Sequence, residues 1–176
     1  MQTKNLRKTV VQAVIIAMVL TMGIANTIAQ QKYQIGGKQT LAFTKQERSM
    51  IGDVEGHMLS LVEAEGVNLS TGSTEFLQGA QVINFITSDL VNFSGPVQGY
   101  SICKKGDDTL YAKFEGKITT AISSDGTPLT TIEAKMTWLK GTGKYENIRG
   151  SGSGKGRYIA SNIYTFDWAG EYWIEK

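Results

Sequence analysis

From Gln30 onward the apolar residues recur at every second position, and the recurring positions are rich in Ile, Tyr, Phe and Trp. That period belongs to a half-buried β-strand, because successive side chains of an extended chain point to opposite faces. The clearest run sets Leu110, Ala112, Phe114, Gly116 and Ile118 on one face and Tyr111, Lys113, Glu115 and Lys117 on the other. A second sets Ile132, Ala134, Met136 and Trp138 against Thr131, Glu133, Lys135 and Thr137. The last, within a long strand over 162–175, sets Tyr164, Phe166, Trp168 and Tyr172 against Thr165, Asp167 and Glu171. Further strands are predicted over 39–44, 57–68, 82–92 and 97–104, with a loop or a turn of helix at 46–50.

Turn-forming residues separate these runs: Gly95-Pro96, Gly106-Asp107-Asp108, Asp125-Gly126-Thr127-Pro128 and the glycines of 141–156. They read as hairpin connections. Seven or eight strands in one domain suit either a sandwich or a closed barrel. The barrel is preferred, because an aromatic final strand left at a sheet edge would be free to pair with another chain. The predicted fold is therefore all-β, an antiparallel sheet curved around a single interior.

The segment before this domain has a different character. Lys4, Arg7 and Lys8 precede an apolar stretch from Ala13 to Leu20 that continues with few interruptions to Ala25, and the small residues Thr27 and Ala29 follow. This is the layout of a secretory signal peptide over 1–29, cleaved before Gln30, with 30–176 as the single folded domain. The apolar run is shorter than the roughly 20 residues of a membrane-spanning helix, so no membrane attachment is expected after cleavage. The expected destination is the periplasm or the medium.

Export alters the charge. The whole chain has 18 Lys+Arg and 16 Asp+Glu, for a net charge of +2. The segment 1–29 holds three of the basic residues and none of the acidic ones, so the mature domain is near −1. A nucleic-acid partner needs a basic surface on the folded domain and is not expected. A single Cys103 and a single His57 exclude an internal disulfide, a paired redox centre and a Cys/His zinc site, and no metal or cofactor is predicted. Cys103 reads as a small buried hydrophobe.

The glycine cluster around Gly150-Ser-Gly-Ser-Gly-Lys155-Gly156 fails as a phosphate cradle. A P-loop requires Gly where Arg149 stands and Ser or Thr where Gly156 stands. The dinucleotide pattern fails too, with Glu146 where the third glycine belongs. Turns, bulges and close strand crossings near a barrel seam account for these glycines. His57 is the one side chain with an unperturbed pKa near neutrality, and Glu63 and Glu65 share its pleat face. His57 or Glu63 is the candidate acid/base if the protein is an enzyme; a hydrogen-bonded structural histidine beside a solvated face is the alternative. Phe114, Trp138, Tyr164, Phe166 and Trp168, with Tyr172, either fill the barrel or line a pocket for a small apolar ligand.

One stretch is more specific. Thr137-Trp-Leu-Lys-Gly-Thr-Gly-Lys-Tyr-Glu-Asn-Ile-Arg-Gly-Ser-Gly-Ser-Gly, followed by Tyr158 and by Tyr164-Thr-Phe-Asp-Trp-Ala-Gly-Glu-Tyr172, resembles the allene oxide cyclase/dirigent-like barrel superfamily, and most closely its exported bacterial members. Gly52-Asp-Val-Glu-Gly-His57 and Gln98-Gly-Tyr100 add weaker support. The resemblance covers roughly 52–175 and implies an eight-stranded antiparallel barrel, calycin-like in shape, with a hydrophobic cavity. It carries over no catalytic residue. Three functions follow as expectations: an exported barrel that binds an apolar small molecule, or serves structurally, without catalysis; an isomerase or cyclase acting on an oxidised fatty acid-like substrate; or a dirigent-like or homo-oligomeric interaction protein.

Overall fold

The structure is a computed structural model and describes residues 30–72 and 74–176; the predicted signal segment lies outside the described residues. Eight antiparallel strands follow one another round a closed barrel: β1 (Tyr33–Met50), β2 (His57–Ser70), β3 (Ala80–Val91), β4 (Gly95–Lys105), β5 (Asp108–Ile122), β6 (Pro128–Thr142), β7 (Ile148–Ala160) and β8 (Ile163–Ile174). Each strand pairs with its sequence neighbours, and β8 returns to β1 through a register running from Tyr33↔Tyr172 to Ala42↔Ile163. The connections β1–β2, β3–β4, β5–β6 and β7–β8 gather at one end, called here the mouth. The longer β2–β3 connection and a one-turn 3-10 helix at Gly143–Tyr145 close the other.

The alternation read from the sequence sets the inside and outside of this barrel. Leu110, Ala112, Ile118, Ile132, Trp138, Tyr164, Phe166 and Trp168 are buried in the interior, while Lys113, Glu115, Lys117, Glu133, Lys135 and Asp167 face water. Closing the sheet removes most of its backbone edge and leaves the burial of these apolar faces as the main stabilising term.

Two elements depart from the sequence expectation. Residues 46–50 form neither loop nor helix; they continue β1, pairing from Gln46↔Val62 to Met50↔Met58. Gln, Glu, Arg and Met favour helices in isolation, but cross-strand pairing with β2 overrides that weak preference. A register shift between Phe43 and Lys45 turns Lys45 to the outside, where it pairs with Glu63 at 2.9 Å. Likewise the glycines from Gly150 to Gly156 are strand rather than turn. In β7 they lie opposite the large residues of β8, with Gly156↔Phe166, Gly154↔Trp168 and Gly150↔Tyr172 as partners. A Cβ on Gly154 would meet the Phe166 ring at 2.6 Å and the Trp168 Cβ at 2.8 Å. The bare β7 backbone is thus the space into which the β8 rings fold.

Candidate functional site

The interior is divided along its axis. At the end away from the mouth, Phe76 and Leu77 of the β2–β3 connection fold inward and are almost wholly buried. Phe76 packs its ring against Tyr145, Trp138, Trp168 and Tyr172, with centroid distances from 4.8 to 6.2 Å. Polar ends inside this plug are paired: Trp168 Nε1 donates to Asn68 Oδ1 at 2.9 Å, Asn68 Nδ2 donates to the Leu77 carbonyl at 3.1 Å, and the Leu77 N–H donates to Tyr145 Oη at 3.1 Å. Trp138 Nε1 donates to the Glu171 carbonyl. The plug is a hydrogen-bonded stopper, which buried indole and amide groups require.

Toward the mouth the packing opens into an apolar cavity of about 50 Å³, lined by Ile86, Val97, Phe114, Ile118, Ile132, Ala134, Met136, Tyr158, Tyr164 and Phe166. Since one water occupies about 30 Å³ of the liquid, the space admits a group of a few heavy atoms, well below the ~300–1,000 Å³ of a drug-sized site. No carboxylate, imidazole or ammonium group belongs to this wall. Burial pushes the Tyr158 and Tyr164 hydroxyls above the usual tyrosine range, so both are neutral donors at ordinary pH. Tyr164 Oη accepts a 2.9 Å hydrogen bond from Asn84 Nδ2, an interior amide on β3.

A larger but open furrow circles the outside between two rows of outward side chains. Thr87, Gln98, Glu115 and Lys135 stand along one side, and Asp89, Lys117, Glu133 and Lys155 along the other. Its charges alternate in sign, as in the exposed Lys155–Glu133 pair at 2.7 Å. Such surface pairs contribute little, and the furrow has no walls that would exclude water. The apolar barrel interior is the better candidate.

Of the aromatic residues singled out in the sequence, Phe114, Tyr164 and Phe166 line the cavity, while Trp138 and Trp168 stand in the plug. His57 and Glu63 are on the outer face. His57 lies at the mouth with Nδ1 2.5 Å from Asp53 Oδ1 and Nε2 2.7 Å from Asp89 Oδ1. Hydrogen bonds to Asp89 and Asp53 raise its pKa above the usual histidine value, and Asp53 is lowered in return, chiefly by its bond to His57. Both nitrogens donate when the ring is protonated. Glu63 is held by Lys45, and Glu65 accepts from Gln81, so neither carboxylate is brought to the histidine. Cys103 is buried in the interior, and desolvation pushes its thiol up to about 11.

Sequence reasoning missed Asn84 and the plug residues Phe76 and Leu77. Asn84 interrupts an inward series of Val82 and Ile86 on β3, and a polar residue at an apolar position is a signal visible in the sequence alone. Phe76 and Leu77 lie in a connection, where no periodicity marks an inward side chain.

No protein-family model matches this chain, and no curated protein matches it. Among solved structures, it is similar to the pterocarpan synthase dirigent protein GePTS1, with a TM-score of 0.51 and 10% identity over 87% of this chain and 94% of that one. It also aligns with the pterocarpan synthase dirigent protein PsPTS1 at a TM-score of 0.45 and 11% identity, covering 83% of this chain and 96% of that one. The expected eight-stranded barrel is thus matched by a solved dirigent protein along nearly its whole length. This chain has the closed eight-stranded fold of a dirigent protein.

Proposed function

We propose that the protein is an exported barrel that receives a small apolar group in the mouth half of its interior and does not transform it. The observation that carries this reading is the cavity itself: a partly open space of about 50 Å³ with a wall of aliphatic and aromatic side chains, set above a hydrogen-bonded plug. An apolar cavity of this kind stays dry and gains by filling, because its lining atoms lack contacts on one side. The wall offers neutral phenols but no acid/base pair, which favours binding over the isomerase reading. Export rests on the layout of 1–29.

Dissolved xenon is a suitable probe. The Met136 methyl resonance, read by NMR, is expected to shift saturably with xenon pressure, and Ala134→Leu, which fills the space, is expected to abolish the response. A Met136 signal that stays unchanged or moves without saturation overturns the reading.

A second reading has its own observation. Phe85 and Tyr100 are cross-strand partners on the outside of β3 and β4, exposed by 43% and 54%, with Leu61 of β2 nearby at 53%. Exposed apolar side chains grouped on one face of the barrel favour protein contact, in keeping with an interaction protein or a homo-oligomer. Sedimentation of the wild type and of Phe85→Asp tests it: a single monomeric species in both removes the self-association form of this reading.

A further inference from the structure

Among the described residues two buried side-chain oxygens lack a hydrogen-bond partner, Thr74 Oγ1 in the β2–β3 connection and Asn84 Oδ1 in the barrel wall, and the second belongs to a residue bonded to the cavity wall. Asn84 is 7% exposed, and its Oδ1 is buried without a hydrogen-bond partner. Asn68, the other interior asparagine, shows the contrast, since both ends of its amide are engaged, by Trp168 and by Leu77. Asn84 precedes Ile86 by two residues on the same inward face of β3, a separation of roughly 6.5–7 Å along the strand, and Ile86 is part of the cavity wall. Its other amide end reaches Tyr164, also part of that wall. Tyr164 Oη receives the Asn84 N–H, and no acceptor for its own O–H is found among the described residues.

A free acceptor and a free donor thus stand side by side on the plug side of an apolar space. An apolar guest leaves both unmatched. A ketone or aldehyde satisfies the Tyr164 donor only. A hydroxyl carries one donor and two acceptor lone pairs and satisfies both. We propose that Asn84 Oδ1 and Tyr164 Oη form a polar anchor for the guest, and that the guest is an aliphatic alcohol whose hydroxyl donates to Asn84 and accepts from Tyr164. This rests on the reading of the interior as a binding cavity and specifies the chemistry at its inner end. A buried acceptor left unpaired is costly, so the site discriminates by what a guest lacks.

The test compares propan-2-ol with acetone, a pair matched in shape that differs in the hydroxyl donor. The Met136 methyl resonance reports the binding of each. In the wild type propan-2-ol is expected to bind at least about tenfold more tightly than acetone, the ratio of roughly one well-made hydrogen bond. In Asn84→Leu the two are expected to bind within a factor of about three, and Tyr164→Phe is expected to weaken the alcohol more than the ketone. The wild-type comparison needs no variant to fold. If both probes bind equally to the wild type, the anchor is overturned while the cavity reading stands. If xenon binds and neither organic probe does, or if an ordered water at Asn84 survives saturating alcohol, the anchor is again overturned. If xenon fails as well, the cavity reading falls with it.

Discussion

His57 on β2 and Asp89 on β3 are joined across the outer face of the barrel by a 2.7 Å hydrogen bond, while the opposite nitrogen of the same ring holds Asp53 of the β1–β2 connection. The imidazole therefore ties a connection at the mouth to the third strand. Because both partners are carboxylates, the protonated ring is the form that makes both bonds.

The histidine pKa is raised by these bonds, first to Asp89 and then to Asp53. A raised pKa in the folded state makes the linkage stabilising at low pH: the contribution is complete below the unfolded value near 6.5 and is lost as pH climbs through the folded value. An NMR titration of the single histidine is expected to give a pKa above 6.5, and Asp89→Asn is expected to lower it. Amide exchange in 51–56 is expected to quicken on the alkaline side beyond its ordinary base catalysis, relative to exchange in β5. A midpoint at or below 6.5 refutes the clamp.

Gly154 is expected to tolerate no side chain. A Cβ there would meet the Phe166 ring at 2.6 Å as well as the Asp167 carbonyl and the Trp168 Cβ. Gly154→Ala should cost about 1–3 kcal/mol, the range for forcing extra volume into a packed interior. The outward neighbour Ser153→Ala should stay within about 0.5 kcal/mol. Denaturant melts of the two variants check the contrast; equal stability would show that the rings do not depend on the bare backbone.

Phe76 is expected to be the largest single contributor in the plug. Its ring touches Tyr145, Trp138, Trp168 and Tyr172. Phe76→Ala should destabilise the fold by about 3–5 kcal/mol and leave a cavity. Tryptophan emission should move to longer wavelength as water reaches the two indoles. An unshifted spectrum with wild-type stability would mean that the connection does not seal the barrel.

Cys103 is 3% exposed, with its thiol pushed up to about 11 by desolvation. Thiolate is the reactive form, so the native protein at pH 8 should resist an aromatic disulfide reagent, and the thiol should titrate fully in denaturant. Rapid labelling of folded protein would contradict the placement.

The sequence reveals most where one face is dry and the other wet. Leu110 to Ile118, Ile132 to Trp138 and Tyr164 to Trp168 alternate because each lies on a sheet with one buried face, and their sides are legible without coordinates. β7 is hidden for the opposite reason: its inward positions are glycines, which carry no hydrophobic signal, since their role is to make room for residues on β8. The outer half of β1 is hidden because Lys45 to Met50 is exposed and helix-prone, and only pairing with β2 makes it strand. In the candidate site, the aromatic residues are legible as interior, but their division between plug and cavity is not, because Phe76 enters from a connection. The two aspartates holding His57 lie in different elements, four residues before it and 32 after, and no local spacing announces them.

The seam between β1 and β8 runs through ten partners, from Tyr33↔Tyr172 to Ala42↔Ile163, and joins the first strand made to the last. Of the two pairings that wait for β8, the one with β7 joins chain neighbours and only the one with β1 spans the whole domain. Until residues beyond 162 emerge, the growing chain is an open sheet with two raw borders and nothing to shut its greasy trough. Bringing such distant partners together is slow, so the final ring-bearing segment acts as a zipper that decides when the vessel becomes watertight. Shortening the chain there forfeits the whole enclosure instead of trimming it.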